Sequence, residues 1–250
     1  MSNTTFSFAF ITDPQIGMKS PNGLEGPGSD KERLMKAIDY VNSNDIDLAL
    51  FAGDHINRAD SQEELDVFLR CVEKFEVPYY GVAGNHDLHA DPTVESIYAK
   101  RGAPDGFSFV HKRAFFHGLN ASRLRGDWGA ETQAQAWTEL ESAFQQIEEE
   151  CTKRFVVMHW PLFACHPDEE ESYWNMPNRR EIVDFFKDNS VTCVLSGHYH
   201  QDIDSEWNGV RFVSGIGTSR PIQYPEETSF KVVTVFDGGW SVRRVSVEDR

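Results

Sequence analysis

Carboxylate, amide and imidazole side chains recur in this chain just after short apolar runs. Asp13-Pro14-Gln15 follows Phe6–Thr12, Gly53-Asp54-His55 follows Asp47–Ala52, and Gly84-Asn85-His86-Asp87 follows Tyr79–Ala83. Further on, His159 closes Arg154–Met158, and Gly197-His198-Tyr199-His200 comes just after Val191–Leu195. Oxygen and imidazole donors without thiolate suit Mn, Fe, Zn or Mg in five- or six-coordinate geometry more than structural zinc. Asp13, Gln15, Asp54, Asn85, His159, His198 and His200 are too many ligands for one ion. Shared between two ions about 3.5–4 Å apart, with one bridging carboxylate, they match a clamp for phosphoryl transfer.

The elements that must position these residues are legible from periodicity. Phe6–Thr12 reads as a buried strand, and Ser29-x-x-Glu32 is a capping box that opens a helix with Leu34, Ile38 and Val41 on one face. A second helix is expected near Gln62–Phe75, others over Thr132–Glu149 and Arg179–Asp188, each followed by a strand. That βαβ rhythm implies a parallel sheet whose carboxyl edge gathers the ligands, with glycines letting the backbone turn there. From Val210 the pattern becomes Val210–Ser214, Phe230–Phe236 and Trp240–Val247, with a turn at Asp237-Gly238-Gly239. Those strands imply an antiparallel second sheet. Ala90–Leu119 contains a candidate hairpin, and Cys165–Pro177 is an acidic, aromatic insertion.

A formal net charge of −16 over 250 residues argues against nucleic acid as partner, although two divalent cations would reverse the local field for an anionic substrate. Cys71, Cys151, Cys165 and Cys193 show no CxxC spacing and read as reduced thiols. No long apolar run or signal-peptide pattern is present, so a cytoplasmic protein with no membrane partner is expected.

The ordered set Asp-Pro-Gln, Gly-Asp, Gly-Asn-His-Asp, a lone His and Gly-His-Tyr-His resembles the calcineurin-like metallophosphoesterase family over nearly the whole chain. His159-Trp160-Pro161-Leu162-Phe163 and Gly217-Thr218-Ser219-Arg220-Pro221 are similar to the branch of calcineurin-like phosphoesterase-domain protein phosphatases. The resemblance implies an α/β fold, a two-sheet sandwich flanked by helices, formed by one domain over residues 1–250. It implies that Asp13, Gln15, Asp54 and His200 hold one metal while Asp54, Asn85, His159 and His198 hold the other. Asp54 then bridges, His86 faces the scissile phosphate with Asp87 orienting it, and the nucleophile is a hydroxide held by the metals. Gln15 departs from the histidine that many members carry, and its neutral amide oxygen is the weaker donor.

Other residues carry less specific signals. Arg58, in Gly53-Asp54-x-x-Asn57-Arg58, resembles a phosphate-gripping arginine, although Asn57 and Ala59 depart from that motif and a solvated arginine is the alternative. Tyr173 and Trp174 are candidates to line a substrate pocket, with anchoring of their loop as the alternative. His55 reads as packing or support, and His89, His111, His117 and His166 as surface or loop residues. The expected function is phosphomonoester hydrolysis, with a phosphorylated small molecule or phosphoprotein as substrate. The alternatives are a phosphodiesterase for cyclic or other nucleotides and a metal-free binding scaffold of the kind a retromer subunit in the family provides.

Overall fold

A computed structural model of the chain describes residues 5–170, 174–220 and 227–248. In chain order the elements are β1 (Phe6–Ile11), α1 (Asp30–Asn42), β2 (Leu48–Phe51), α2 (Gln62–Val72), β3 (Tyr79–Gly81) and α3 (Ile97–Lys100). Then come β4 (Phe107–His111), β5 (Ala114–Gly118), α4 (Ala121–Arg125), α5 (Ala130–Gln145), β6 (Lys153–Met158) and α6 (Arg179–Asp188). The chain continues through β7 (Cys193–Ser196), β8 (Asp204–Trp207), β9 (Val210–Ser214), β10 (Ser229–Phe236) and β11 (Gly239–Ser246).

The strands form two sheets, one ordered β11-β10-β1-β2-β3 and the other β4-β5-β6-β7-β9-β8. Strand periodicity decides what each face buries. Phe6, Phe8 and Phe10 of β1 point between the sheets against Phe116, Phe155, Leu195 and Val213, while Ala9 and Ile11 face the opposite way toward α1 and α2. Leu34, Ile38 and Val41 of α1 and Leu65, Phe68 and Val72 of α2 cover that outer face. Leu140 and Phe144 of α5 and Ile182, Val183 and Phe186 of α6 cover the second sheet in the same way. The result is a two-sheet sandwich with helices on both outer faces.

The capping box starts α1 with a shifted partner. Ser29 Oγ accepts from Glu32 N–H, but the Glu32 carboxylate reaches back to Gly28 N–H. The Ala90–Leu119 hairpin is present as β4–β5, and α6 has the bounds its pattern predicts.

The expected antiparallel second sheet is not what the chain builds. Val210–Ser214 pairs parallel to β7 in the second sheet, whereas β10 and β11 join the first sheet, with β10 antiparallel to β1. The register Phe8↔Val233 explains why. The alternation of β10 places Val233 and Val235 beside Phe6 and Phe8, so extending the first sheet buries both in the central core. Antiparallel pairing in the second sheet is confined to its edges, β4–β5 and β8–β9.

Candidate active site

β1, β2, β3, β6 and β7 end on one rim, and the loops that follow carry the candidate ligands. The backbone there is contorted: Asp13, Gln15, Asp54, His198 and His200 have φ of 46°, 41°, 52°, 68° and 49°. They make up five of the nine non-glycine residues with positive φ among the described residues, so this strain is concentrated at the rim. Each such residue costs on the order of 1–3 kcal/mol and persists only where its surroundings over-determine it. Gly84 is required by close approach, since a Cβ there would fall 2.2 Å from Asp54 Oδ1. Gly197 plays the same part for Asp13, whose Oδ2 would lie 2.6 Å from an added Cβ.

Asp54, His159 and His198 each present a ligand atom within 4.8 Å of the others, and all three are buried. His159 Nδ1 donates to the Ala52 carbonyl at 2.7 Å, which turns Nε2 toward Asp54 Oδ2 at 3.3 Å and Asn85 Oδ1 at 3.0 Å. Ligand atoms around one ion at about 2.1 Å stand roughly 3 Å apart, so this spacing suits a shared cation. His200 Nδ1 donates to the Arg220 carbonyl, and its Nε2 stands 3.4 Å from Asp13 Oδ1. Asp13 also accepts from His198 N–H at 3.1 Å, and Gln15 N–H donates to the Asp54 carbonyl at 2.8 Å.

The residues fit metal ions on two counts. Gln15 Oε1 is buried with no hydrogen-bond partner, a costly state that a cation relieves. Asp13 and Asp54 are carboxylates at 0% and 2% exposure, and buried carboxylates must be paired or coordinate a metal. The site's electrostatics carry the same demand for positive charge. Burial opposes ionisation of Asp54, yet His159, His86 and His198 hold its carboxyl below the usual range. Burial likewise opposes a charged His159, but the Asp54 carboxylate pushes the imidazole up to about 9. His198 is driven well below its ordinary value by burial and then by the His159 charge.

Around this cluster the sequence-predicted residues separate. His86 N–H donates to Asp54 Oδ1 at 2.8 Å, and its ring is fixed by Nδ1 against the Asn57 carbonyl at 2.8 Å. The expectation that Asp87 orients His86 is therefore corrected. Asp87 is fully buried and accepts from His55 N–H, Ile56 N–H, Gly84 N–H and His55 Nδ1, making no bond to the His86 ring. His55 is enclosed as a packing and support residue, stacked on Tyr98 at 5.3 Å. Arg58 is engaged by Glu64 Oε1 at 2.7 Å and by Ser61, not by any candidate ligand, and its side chain is 67% exposed. Trp174 packs on His198 and Tyr199 with ring centroids at 5.2 and 6.1 Å. Tyr173 and Pro221 lie outside the described residues. His117 is a half-buried residue of β5 and not a loop histidine.

Two further residues stand beside the site without a role assigned to them from sequence. Trp160 packs on His198 with ring centroids 3.9 Å apart and tilted by 45°, and the Arg125 guanidinium lies 4.1 Å from the Trp160 ring centroid. Trp160 is visible in sequence only as part of the His159–Phe163 stretch, while Arg125 is brought in by the packing of α4.

A sequence profile for the calcineurin-like phosphoesterase family matches residues 6–202, and the chain belongs to that family. It is a metal-dependent phosphoester hydrolase. It is 28% identical over 237 residues to a rat protein named serine/threonine-protein phosphatase CPPED1, covering 85% of this chain and 75% of that one. It is also 24% identical to the 3',5'-cyclic adenosine monophosphate phosphodiesterase CpdA of Haemophilus influenzae, over 92% of this chain and 82% of that one. A solved dimetal phosphatase from Danio rerio superposes with a TM-score of 0.73 at 15% identity, covering 98% and 97% of the two chains. No helix of the described residues is long and apolar enough to cross a membrane.

Proposed function

We propose that the protein is a dinuclear phosphomonoesterase, with phosphoprotein among its candidate substrates. The observation that supports this reading is the buried cluster of Asp54, His159 and His198, with Asp13 and His200 paired nearby and His86 anchored to Asp54, which we read as two half-sites meeting at Asp54. One half comprises Asp13, Gln15 and His200, and the other Asn85, His159 and His198. Bound there, Mn, Fe, Zn or Mg supplies Lewis-acid charge to phosphoryl oxygens and acidifies water.

The chain's own residues do the rest. Backbone carbonyls of Ala52 and Arg220 fix the tautomers of His159 and His200, so both present Nε2 to the centre. The Asn57 carbonyl holds the His86 ring through Nδ1, leaving Nε2 to stabilise or protonate the departing ester oxygen. The similarity to proteins named phosphatases over three quarters of their length favours monoesters; the weaker similarity to CpdA keeps diesters as the second reading.

Metal analysis joined to turnover of p-nitrophenyl phosphate and bis-p-nitrophenyl phosphate tests the proposal. Two bound metals and faster monoester turnover are expected. A reversed preference establishes the diesterase, and absence of both metal and turnover establishes a binding scaffold.

A further inference from the structure

Asn85 belongs both to the candidate metal centre and to the wall of an adjoining cavity of about 330 Å³. The other walls include Leu88, His89, Arg125, Trp128 and Trp160. A group in that space is next to anything held at Asn85, and Asn85 directly precedes His86, the residue that the reading above places at the departing ester oxygen. The volume lies at the small end of the range of about 300–1,000 Å³ for ligand pockets and suits one ring with a short substituent.

The walls are flat and held in place. Trp160 is 3% exposed, with its indole N–H directed to Ser122 Oγ at 3.3 Å. Arg125 stacks on that indole and is tethered by Asp127 Oδ1 at 3.2 Å and the Asn175 carbonyl at 3.3 Å. Trp128 adds a second indole, and Leu88 an aliphatic surface. His89 is turned to Asp60 at 2.8 Å. Guanidinium planes and indoles gain most from a planar aromatic partner, and an aliphatic chain leaves that surface unfilled.

We infer that this cavity is the leaving-group pocket of the site and receives an aromatic ring. The enzyme then prefers aryl phosphomonoesters over alkyl ones, and in a protein substrate phosphotyrosine over phosphoserine, with Arg125 and Trp128 setting the preference. The inference rests on the phosphomonoesterase reading. In the reaction water gives a hydroxyl to phosphorus, the bond from phosphorus to the aryl oxygen breaks, and the phenol leaves with the remaining proton.

Aryl esters are intrinsically more reactive, so the test uses non-hydrolysable phosphonates. Calorimetry on the manganese-loaded protein compares benzylphosphonate with propylphosphonate. Ring stacking worth about 0.5–1.5 kcal/mol predicts about 2–13-fold tighter binding of the benzyl compound. Trp128→Leu, which stays apolar, and Arg125→Lys, which keeps the charge, each remove a plane and bring the ratio toward one while metal content stays unchanged. Equal affinities in the unmutated protein, or a ratio that survives both substitutions, overturn the inference. Turnover of p-nitrophenyl phosphate run in parallel separates the two ideas. Turnover without ring preference removes the pocket and leaves the reading, and ring preference without turnover does the reverse.

Discussion

The Asp87 carboxylate lies 2.9 Å from His55 Nδ1, a fully buried bond that ties the loop after β2 to the loop after β3. Its Oδ1 also accepts from His55 and Ile56 N–H at 2.8 and 3.1 Å, and its Oδ2 from Gly84 N–H at 2.8 Å. Those loops carry Asp54 on one side and Asn85 and His86 on the other, so Asp87 sets the separation of groups it does not touch.

Asp87→Ala should destabilise the fold as well as the site. Three buried backbone N–H donors, besides the His55 ring, lose their acceptor, each backbone donor worth about 1–3 kcal/mol, for a total of at least about 3 kcal/mol. Denaturant unfolding measures it, and metal content should fall with stability because the Asn85 loop is released. A loss under about 1 kcal/mol would mean the strut is dispensable.

This strut shows where the sequence stops being legible. The candidate ligands could be read because each follows an apolar run whose end is visible, and a parallel sheet forces such ends to one rim. Asp87 could be read as important but was assigned the wrong neighbour, because contact across two loops depends on how each turns. Asn57 looks like a departure when judged by its side chain, yet its backbone carbonyl is what holds His86, and sequence cannot display that. The placement of β10 beside β1 depends on a register between residues more than 220 apart (Phe8 with Val233), and Arg125 reaches Trp160 only through tertiary packing.

His117 predicts an acid-sensitive step in stability away from the rim. Burial lowers its imidazole to about 4, and Ser108 Oγ lies 2.6 Å from Nδ1 in a hydrogen bond. The unfolded chain takes up this proton near 6.5, so between pH 6.5 and 4 it binds more protons than the folded chain. Stability from this residue is complete above pH 6.5 and lost as pH falls through that window. Relative to His117→Gln, the unmutated protein should lose about 2–3 kcal/mol more between pH 7.5 and 4. Parallel pH dependences in the two proteins would refute it.

Asp54→Asn should weaken both metal half-sites at once if the carboxylate bridges them as proposed. Elemental analysis should find fewer than two metals, turnover should drop by orders of magnitude, and circular dichroism should show the fold retained. Two retained metals with near-normal turnover would remove Asp54 from the bridging position.

His86→Ala separates transition-state chemistry from metal binding. The ring is held by the Asn57 carbonyl and not by a metal-facing carboxylate, so its removal should leave metal content intact. A positioned acid or charge-stabilising group is worth about 10²–10⁴ in rate, and kcat should fall by that factor. Loss of metal alongside activity would make His86 a ligand.

Gln15 sets the inequality between the two half-sites. Its Oε1 is buried without a partner, its φ of 41° is strained, and its backbone is pinned to the Asp54 carbonyl. The side chain is therefore held as a neutral oxygen donor that nothing else satisfies. Borderline transition metals bind imidazole more strongly than amide oxygen, whereas Mg or Mn loses less by the exchange. The half-site of Asp13, Gln15 and His200 should accordingly be the weaker one. The purified protein should keep one metal tightly at Asn85, His159 and His198 and gain activity on addition of millimolar Mn or Mg. Gln15→His should tighten the weaker half-site and reduce that dependence. Chelator competition with metal quantified at each step decides the matter without reference to turnover. Two equally tight metals in the unmutated protein, with no gain from histidine, would show that Gln15 does not limit the site.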